Sequence, residues 1–329
     1  MINYAQTGST DPCYNLAFEQ YILEHKRDGD WLLLWQNDKT VVIGLNQNAE
    51  EELNSGYVAE NGVKVVRRMT GGGAVYHDLG NLNYSFITGL GDAERFTLEK
   101  FTRPVCQALK RLGIDAAVGG RNDIMVNGKK VSGVAQRICG NRILHHGTLL
   151  FDSDLIAMAA ALLTDRSKFI SKSAKSVHSR VCNLRPLLEQ DMDIEQFREA
   201  LLAELAAGAL HCTELTEAEK SQVRREAEER YRSWEWTYGH NPDYSFKNKV
   251  CYPGGTLEVR LLVKAGIICQ AHFTGDYMAL TPGKEAEESL VGCPYDRAAV
   301  EKALAGIRLE HVFGSLGKAE VLGAIFPPA

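Results

Sequence analysis

The segment from Arg67 to Asn81 combines residue types that can bind a phosphate or an activated acyl group. Its sequence is RRMTGGGAVYHDLGN, with three consecutive glycines after a predicted strand. Glycines adopt backbone conformations closed to other residues, so successive N–H groups can converge on an anion, although three glycines alone also fit a tight turn. Arg67 and Arg68 add positive charge beside the loop. The segment matches neither a P-loop nor a G-x-G-x-x-G fingerprint.

A second group of candidates lies at residues 120–124 (GRNDI), 130–137 (KVSGVAQR) and 145–148 (HHGT). Lys130 enters a predicted strand among small residues, where it can extend into a pocket and bind a carboxylate or phosphate; a solvated charge on a strand edge is the alternative. Asp123 can bind Mg²⁺ that bridges phosphates. His145 and His146 are adjacent on a strand and point to opposite faces, which favours a structural role for at least one of them over joint metal binding.

Local patterns predict the elements that position these groups in the first half of the chain. Asp11 and Pro12 predict the start of a helix that continues from Cys13 to about His25. Short apolar runs predict strands, and apolar residues at helical spacing predict a helix at 97–112. The strands are predicted at 31–35, 40–44, 63–67, 74–76, 83–87, 124–126, 130–135 and 147–150. The last three are expected in one sheet, with Asn127-Gly128 as a hairpin turn.

The second half of the chain is predicted to be more helical and to end in a small α+β module. Helices are predicted at 155–163, 194–205, 217–231, 296–304 and 310–316. A hairpin is predicted from strands 256–263 and 267–273 around Ala265-Gly266. The polar, turn-rich stretch 238–248 is interpreted as a linker. The sequence therefore predicts two domains, at 1–243 and 244–329.

Composition excludes several functional classes. The 329 residues contain 45% hydrophobic and 24% charged residues, which is ordinary for a globular protein, and the net charge of −5 gives no basic excess for nucleic acid. The eight cysteines form no C-x-x-C pair, which indicates free thiols in a reducing compartment. Residues 1–15 contain no apolar run of the kind found in signal peptides, and no apolar run approaches about 18 residues, so no transmembrane helix is expected. We expect a cytoplasmic monomer that binds neither nucleic acid nor membrane.

The motifs together resemble those of lipoate–protein ligases, and the similarity covers nearly the whole chain. The run Arg67 to Asn81 resembles the family signature R-R-x-x-G-G-G-A-V-[FY]-H-D-x-G-N. The run from Lys130 to Arg137 resembles a second signature of the family. Further matches are NLA with Glu19 near residue 15, GRND at 120–123, HHGTL at 145–149, SRV and NL at 179–184, and WEW at 234–236. The match is close for bacterial ligases with a C-terminal accessory domain.

The resemblance implies a fold, an activity and a set of site residues. The implied fold is α+β: a large domain of mixed β-sheets flanked by helices, plus the small accessory domain. The implied enzyme uses ATP and Mg²⁺ to convert lipoate to lipoyl-AMP, and then transfers the lipoyl group to a lysine of lipoyl domains of 2-oxoacid dehydrogenase E2 subunits or of the glycine-cleavage H protein. The residues implied for ATP and lipoyl-AMP are Arg68, Gly71, Gly72, Gly73, Ala74, Val75, Tyr76, His77, Asp123 and Lys130. Those implied for lipoate are Trp35, Arg68, Lys130 and His146; Lys130 is also the catalytic residue, and Asp123 is the Mg²⁺ ligand.

Three alternatives remain at this point. An ATP-independent octanoyl or lipoyl transferase uses a cysteine nucleophile, for which Cys139 is the candidate after Lys130. A biotin–protein ligase has a G-R-G-R-x-G loop, which is absent here. A lipoate-binding protein without activation chemistry is the third. The sequence departs from the family pattern at Met69-Thr70, where small hydroxyl residues are common, and at His178, where arginine is frequent.

Overall fold

Eleven strands are present in the described residues that precede residue 239. This computed structural model describes residues 2–47, 49–91, 98–119, 123–162, 180–206, 210–238, 246–264, 266–295 and 297–327. In chain order the strands are β1 (Ile2–Ala5), β2 (Asp30–Trp35), β3 (Thr40–Ile43), β4 (Lys64–Arg67), β5 (Val75–His77), β6 (Asn81–Gly89), β7 (Ala116–Gly119), β8 (Asp123–Val126), β9 (Lys129–Cys139), β10 (Arg142–Leu150) and β11 (Leu210–Cys212). They form a large mixed sheet of order β11-β1-β2-β6-β10-β9-β8-β7 and a small sheet of order β4-β3-β5.

Helices cover both faces of the large sheet. Those described before residue 239 are α1 (Pro12–His25), α2 (Ala49–Glu52), α3 (Ser55–Glu60), α4 (Leu98–Arg111), α5 (Leu155–Ala161), α6 (Ile194–Ala206), α7 (Glu217–Glu226) and α8 (Trp234–Thr237). A π-helical segment, Ala227–Tyr231, continues α7. Asp11 caps α1 by accepting a hydrogen bond from the backbone N–H of Cys13 at 3.3 Å. The predicted start of this helix is confirmed.

Strand alternation gives the large sheet two different faces. On β2, Leu32 and Leu34 pack with the side chains of α4 and α6 in one hydrophobic core. Trp31, Leu33 and Trp35 point the other way and pack with α1 in a second core. Because successive side chains of a strand alternate between the two faces, every strand in the middle of this sheet contributes to both cores. The face toward α1 also contains the candidate site.

The C-terminal part, residues 246–327, forms a separate hydrophobic core. Its strands are β12 (Phe246–Tyr252), β13 (Gly255–Lys264) and β14 (Ile267–Gly275), which form an antiparallel sheet. Its helices are α9 (Lys284–Leu290), α10 (Arg297–Ala303), α11 (Leu309–Phe313) and α12 (Lys318–Ile325). We call this part the C-terminal module.

Most predicted elements are found, among them the hairpin turn between β8 and β9. The exceptions concern the sheets that β2 and β3 enter, the extent of the linker and several elements that were not predicted. The turn at Asn127-Gly128 has the positive φ angles, 50° and 74°, of a tight hairpin and joins β8 to β9. Strands β2 and β3, predicted on either side of a turn, enter different sheets. Residues 246–248 belong to β12 and not to the linker. The elements that were not predicted are β1, β7, β11, β12, α2, α3, α8, α9 and α12. The linker residues 239–245 lie outside the described residues.

No helix among the described residues has the length and apolar character needed to cross a membrane.

Core packing on the face opposite the site predicts a stability effect. Phe197 of α6 is fully buried, and its ring stacks on that of Phe151 with centroids 4.6 Å apart. We expect Phe197→Ala to lower the free energy of unfolding by about 3–5 kcal/mol, because it leaves a cavity in a close-packed core. Glu199→Ala, at an exposed position of the same helix, is the control and should change the free energy of unfolding by less than about 0.5 kcal/mol. Urea unfolding measures both, and equal effects would contradict the assigned packing.

Candidate active site

Two cavities lie side by side between the large sheet, the small sheet and the adjoining helices. We name them after one residue each. The Trp35 cavity is lined by Leu16, Trp35, Val42, Arg68, Gly73, Ala74, Val75, His77, Asn83, Lys130, Gly133, Val134, Ala135, His146, Gly147 and Thr148. The Met158 cavity is lined by Ala74, Val75, Tyr76, Lys130, Ser132, Gly133, Thr148, Leu150, Met158, Ala159, Leu162, Arg180 and Val181. Five residues line both: Ala74, Val75, Lys130, Gly133 and Thr148.

A β-bulge directs Lys130 to this junction. Strand β8 pairs Ile124 with Ser132 but Met125 with Lys130, so one extra residue is inserted on β9. Its effect is visible in the cores: Val131 and Val134 lie in the same core cluster, although residues three apart on a regular strand face opposite sides. The same inserted residue places the side chain of Lys130 on the face of the strand to which Gly133 belongs.

Lys130 has a carboxylate partner and little spare room. Its Nζ lies 2.7 Å from Oδ1 of Asp123, and both side chains are about one third exposed or less. A methyl group at Gly133 would come within 3.0 Å of the same Nζ. The glycine therefore leaves space for the ammonium group where the two cavities meet.

Arg68 is buried and organises the glycine loop. Its Nη2 donates to the carbonyls of Gly71 at 2.6 Å and Gly73 at 2.8 Å, and its Nε donates to Oγ1 of Thr70 at 2.9 Å. Burial lowers the pKa of this guanidinium to about 10, so it keeps its charge at neutral pH. The loop thus turns its carbonyl groups toward a cation that lines the Trp35 cavity.

Arg67 has a structural role, contrary to the expectation that both arginines supply charge beside the loop. Its Nη1 donates to the carbonyls of Gly44 at 2.8 Å and Gln47 at 2.6 Å. Its Nη2 donates to the carbonyl of Thr237 at 2.7 Å, and the indole N–H of Trp236 donates back to the Arg67 carbonyl at 2.9 Å. Strand alternation explains the split, because neighbouring residues point to opposite sides.

A buried carboxylate connects the walls of the Trp35 cavity. Glu19 of α1 is 1% exposed, and its Oε1 accepts a hydrogen bond from the hydroxyl of Ser85 at 2.5 Å. That hydroxyl accepts one from the indole N–H of Trp35 at 2.9 Å. Both carboxylate oxygens of Glu19 lie 3.0 Å from Nδ1 of His146, whose Nε2 lies 2.8 Å from the hydroxyl of Thr70. The chain of contacts fixes two cavity-lining side chains through one buried group.

The two adjacent histidines separate as the strand alternation predicts. His146 lines the Trp35 cavity. His145 is fully buried on the opposite face, where its ring stacks on Phe101 with centroids 5.0 Å apart. Burial lowers the pKa of His145 well below its usual value. Its position makes it a core residue.

The residues predicted from the sequence divide into three sets according to their positions relative to the two cavities. Those that line a cavity are Trp35, Arg68, Gly73, Ala74, Val75, Tyr76, His77, Lys130 and His146. Gly71 and Gly72 line neither cavity, and Asp123 reaches the junction through its ion pair with Lys130. Residues 120–122, 178 and 179 lie outside the described residues. Sequence reasoning did not assign roles to Glu19, Thr70, Ser85, Gly133 or Thr148; the small residue three positions after Lys130 was the available signal for Gly133.

Cys139 lies at the other end of β9 from Lys130. Nine residues of extended strand span about 30 Å. Its side chain is partly buried against the core on the α1 face, and it lines neither cavity. This position is unfavourable for a nucleophile acting on a group held at Lys130.

Comparison with known proteins identifies the family. The family model described as "Lipoyl protein ligase A/B catalytic domain" matches residues 11–206, more than half of the chain, and "Bacterial lipoate protein ligase C-terminus" matches residues 241–325. The chain belongs to the lipoate–protein ligase family. A relative from Bacillus subtilis (strain 168), lipoate–protein ligase LplJ, is 42% identical over 322 residues, which are 96% of this chain and 97% of the relative.

Two solved structures support the same family. A bipartite lipoate–protein ligase from Thermoplasma acidophilum, solved in a study with its E2 lipoyl domain, is 31% identical with a TM-score of 0.65, covering 74% of this chain and 98% of that one. A lipoate–protein ligase A bound with ATP is 30% identical with a TM-score of 0.64, covering 73% and 99%. The predicted family, enzyme class and fold class of this ligase are confirmed, and the cysteine-dependent transferase is not favoured.

The C-terminal module contacts the glycine loop through backbone groups. The N–H of Gly72 donates to the carbonyl of Tyr277 at 3.1 Å. On either side of this contact, Gly275 donates to the carbonyl of Asn46 at 2.6 Å and Ile138 donates to the carbonyl of Leu280 at 3.0 Å. The loop therefore has the cavities on one side and the module on the other.

A methyl group added at Gly71 should disturb this contact. It would lie 2.7 Å from the backbone nitrogen of Ala279 and 3.0 Å from the carbonyl oxygen of Tyr277, and backbone atoms cannot move aside independently. We expect Gly71→Ala to speed hydrogen–deuterium exchange of the Gly72 amide at least tenfold, since loss of the contact exposes it. Gly306→Ala, at a module position with nothing within 4 Å, is the control. Unchanged exchange in Gly71→Ala would contradict the contact.

Proposed function

We propose that this ligase activates lipoate with ATP and transfers the lipoyl group to a lysine of a lipoyl domain. The proposal rests on one observation above the others: two cavities of different character meet at a single lysine, Lys130. The smaller Trp35 cavity suits the acyl chain, and the Met158 cavity, lined largely by apolar side chains, suits the adenine. The carboxyl group and the α-phosphate would then meet beside the ammonium group.

The first half-reaction needs charge neutralisation and alignment more than covalent help. A carboxylate oxygen of lipoate attacks the α-phosphorus of ATP, the new O–P bond forms, and the bond to pyrophosphate breaks. Lys130 would neutralise the carboxylate and then the acyl-phosphate link, while Arg68 supplies a second fixed charge in the same cavity. Groups already held in place cost no reorganisation when charge develops, which favours this step.

In the second half-reaction the neutral ε-amine of the acceptor lysine attacks the acyl carbon. The bond between that carbon and the adenylate oxygen breaks, AMP leaves, and the amine loses a proton. No acyl-enzyme is required, in agreement with the position of Cys139 away from the cavities.

The residues present fit a metal ion that arrives with the nucleotide. Among the described residues no group of three or more His, Cys, Asp or Glu is arranged to bind a metal by itself. Mg²⁺, however, commonly takes only one or two carboxylates together with phosphate oxygens. Asp123, one quarter exposed beside Lys130, would be that carboxylate. Bound there, Mg²⁺ would reduce the negative charge of the phosphates.

The acceptors we propose are lipoyl domains of 2-oxoacid dehydrogenase E2 subunits and the glycine-cleavage H protein. The T. acidophilum relative, studied with its E2 lipoyl domain, supports this class of partner. All eight cysteines are free, which fits a reducing cytoplasm. We propose that the ligase acts there as a monomer.

The domain boundary that we propose, at 243/244, makes the C-terminal module a unit that can move between half-reactions. Gly72 has one N–H, and the carbonyl of Tyr277 occupies it. A phosphate that reached this N–H would have to displace that carbonyl, so bound nucleotide and the docked module would bias each other.

A scattering experiment tests this motion. We expect small-angle X-ray scattering to give a larger radius of gyration after lipoate and Mg-ATP are added without acceptor, because lipoyl-AMP then fills the cavities and releases the module. Lipoate alone and AMP alone are the controls. Identical profiles with and without lipoyl-AMP would exclude the motion.

Lys130→Ala tests the proposed chemistry. Lipoate-dependent pyrophosphate release from Mg-ATP should fall by at least a hundredfold without acceptor protein, because the junction loses its cation, while the melting temperature changes little at a partly exposed site. Cys139→Ser on the same strand is the matched control and should retain full activity. Normal turnover in Lys130→Ala would refute the assignment. Loss of activity in Cys139→Ser would support the transferase, and no release by the folded wild type would support a binding protein without activation chemistry.

A further inference from the structure

A buried hydrogen-bond donor lines the Trp35 cavity without a partner among the described residues. His77 ends β5 and is 3% exposed, and its ring lines the cavity. Its Nδ1 lies 3.1 Å from Nδ2 of Asn37. Its Nε2 is buried and has no hydrogen-bond partner within the described part of the chain.

The surrounding amides determine which ring nitrogen carries the proton. Nδ2 of Asn15 lies 2.7 Å from the carbonyl of Gln36 and 3.1 Å from that of Ser9, so this atom must be the donor of its amide. The two hydrogens of this amino group are shared among three acceptors, because Oδ1 of Asn37 also lies 2.9 Å from it. The other end of the Asn37 amide, its Nδ2, is therefore the donor to Nδ1 of His77. A neutral ring whose Nδ1 accepts has its proton on Nε2.

The ring is neutral for a physical reason. Burial, with the nearby charge of Arg68 as the next cause, lowers the pKa of His77 to about 3. Its one lone pair, at Nδ1, is occupied by Asn37. His77 therefore cannot serve as a general base, and what it offers to the cavity is an N–H group.

Asn83 is a second group of the same kind. It is 2% exposed and lines the same cavity. Its Oδ1 accepts from Nδ2 of Asn81 at 3.0 Å, and its Nδ2 is buried with no partner among the residues the structure describes. Two unpaired donors in one cavity indicate a ligand with a strong acceptor, since buried donors are rarely left unpaired.

We propose that Nε2–H of His77 donates a hydrogen bond to a carboxyl oxygen of the acyl substrate, with the donor of Asn83 in the same cavity. This inference rests on the proposed function. Lipoate has strong acceptors only at its carboxyl group, because sulfur accepts weakly. Arg68, close enough to affect His77, attracts a carboxylate to the same part of the cavity. In lipoyl-AMP the same oxygen is a carbonyl oxygen, and a neutral donor still binds it as negative charge develops on it during amine attack.

Binding measurements on His77→Phe test the proposal, because phenylalanine keeps the ring and removes the donor. Isothermal titration calorimetry should show lipoate binding weakened by roughly tenfold or more, the cost of one hydrogen bond to a charged group. Octanoate should weaken by the same factor, since both ligands share the carboxyl group. His145→Phe is the matched control, because it removes another buried neutral imidazole from the opposite face, and it should bind both acids like the wild type.

The outcomes separate this inference from the proposed function. Failure of the wild type to bind lipoate would refute the function itself. Wild-type binding with unchanged affinity in His77→Phe would overturn the role of His77, and weakening for lipoate but not octanoate would overturn the carboxyl contact.

A measurement on the unmutated protein covers the case in which His77→Phe does not fold. Nitrogen-15 spectra of histidine side chains should show His77 as the Nε2–H form at neutral pH. Its Nε2 signal should shift with octanoate and not with adenosine. An Nδ1–H form, or no shift with octanoate, would overturn the proposal.

Discussion

The site depends on one buried negative charge, that of Glu19. A carboxylate at 1% exposure is stable only if its oxygens are well paired. Glu19 meets this requirement by accepting from Ser85 and His146, and its charge also favours the charged form of buried Arg68. Helix α1, three neighbouring strands and the loop before the glycines are thereby connected by directional contacts. Because each contact satisfies the next group, the cavity walls keep one geometry without a ligand to hold them.

The cations of the site are held in two different ways, and the difference follows from their burial. Arg68 is buried and bonded to carbonyl groups of its own loop, so its position is fixed by the loop and its charge cannot be withdrawn. Lys130 is partly exposed and paired with the carboxylate of Asp123. That pair can open toward a ligand at little cost, because an exposed ion pair contributes little stability. A fixed cation and an exchangeable one suit a cavity that must first bind a carboxylate and then release an adenylate.

The sequence predicts the chemical groups of the site better than their geometry. Local rules were sufficient for helix α1, for the Asn127-Gly128 hairpin and for the opposite orientations of His145 and His146. They could not predict the bulge at Val131, because nothing in KVSG distinguishes a regular strand from one with an inserted residue; the pairing with β8 decides it. They also gave Arg67 and Arg68 the same role, although alternation directs Arg67 to backbone carbonyls of residues 44–47 and Thr237, and Arg68 to the cavity. Short strands such as β1 and β11 were missed, since three or four residues give too little periodicity.

The glycine loop explains why the arrangement of two parts matters to the chemistry. Its carbonyl groups are committed to Arg68, and the N–H of Gly72 is committed to Tyr277 of the C-terminal module. One face of the loop is fixed by a buried cation and the other by a backbone contact with the module, and in the motion that we propose a bound anion replaces that contact. A ligand shifts an equilibrium only by its differential affinity for the two states. In the motion that we propose, the differential interaction is that single donor, which either the module or a phosphate would use, and it would connect occupancy of the cavities with the position of the module.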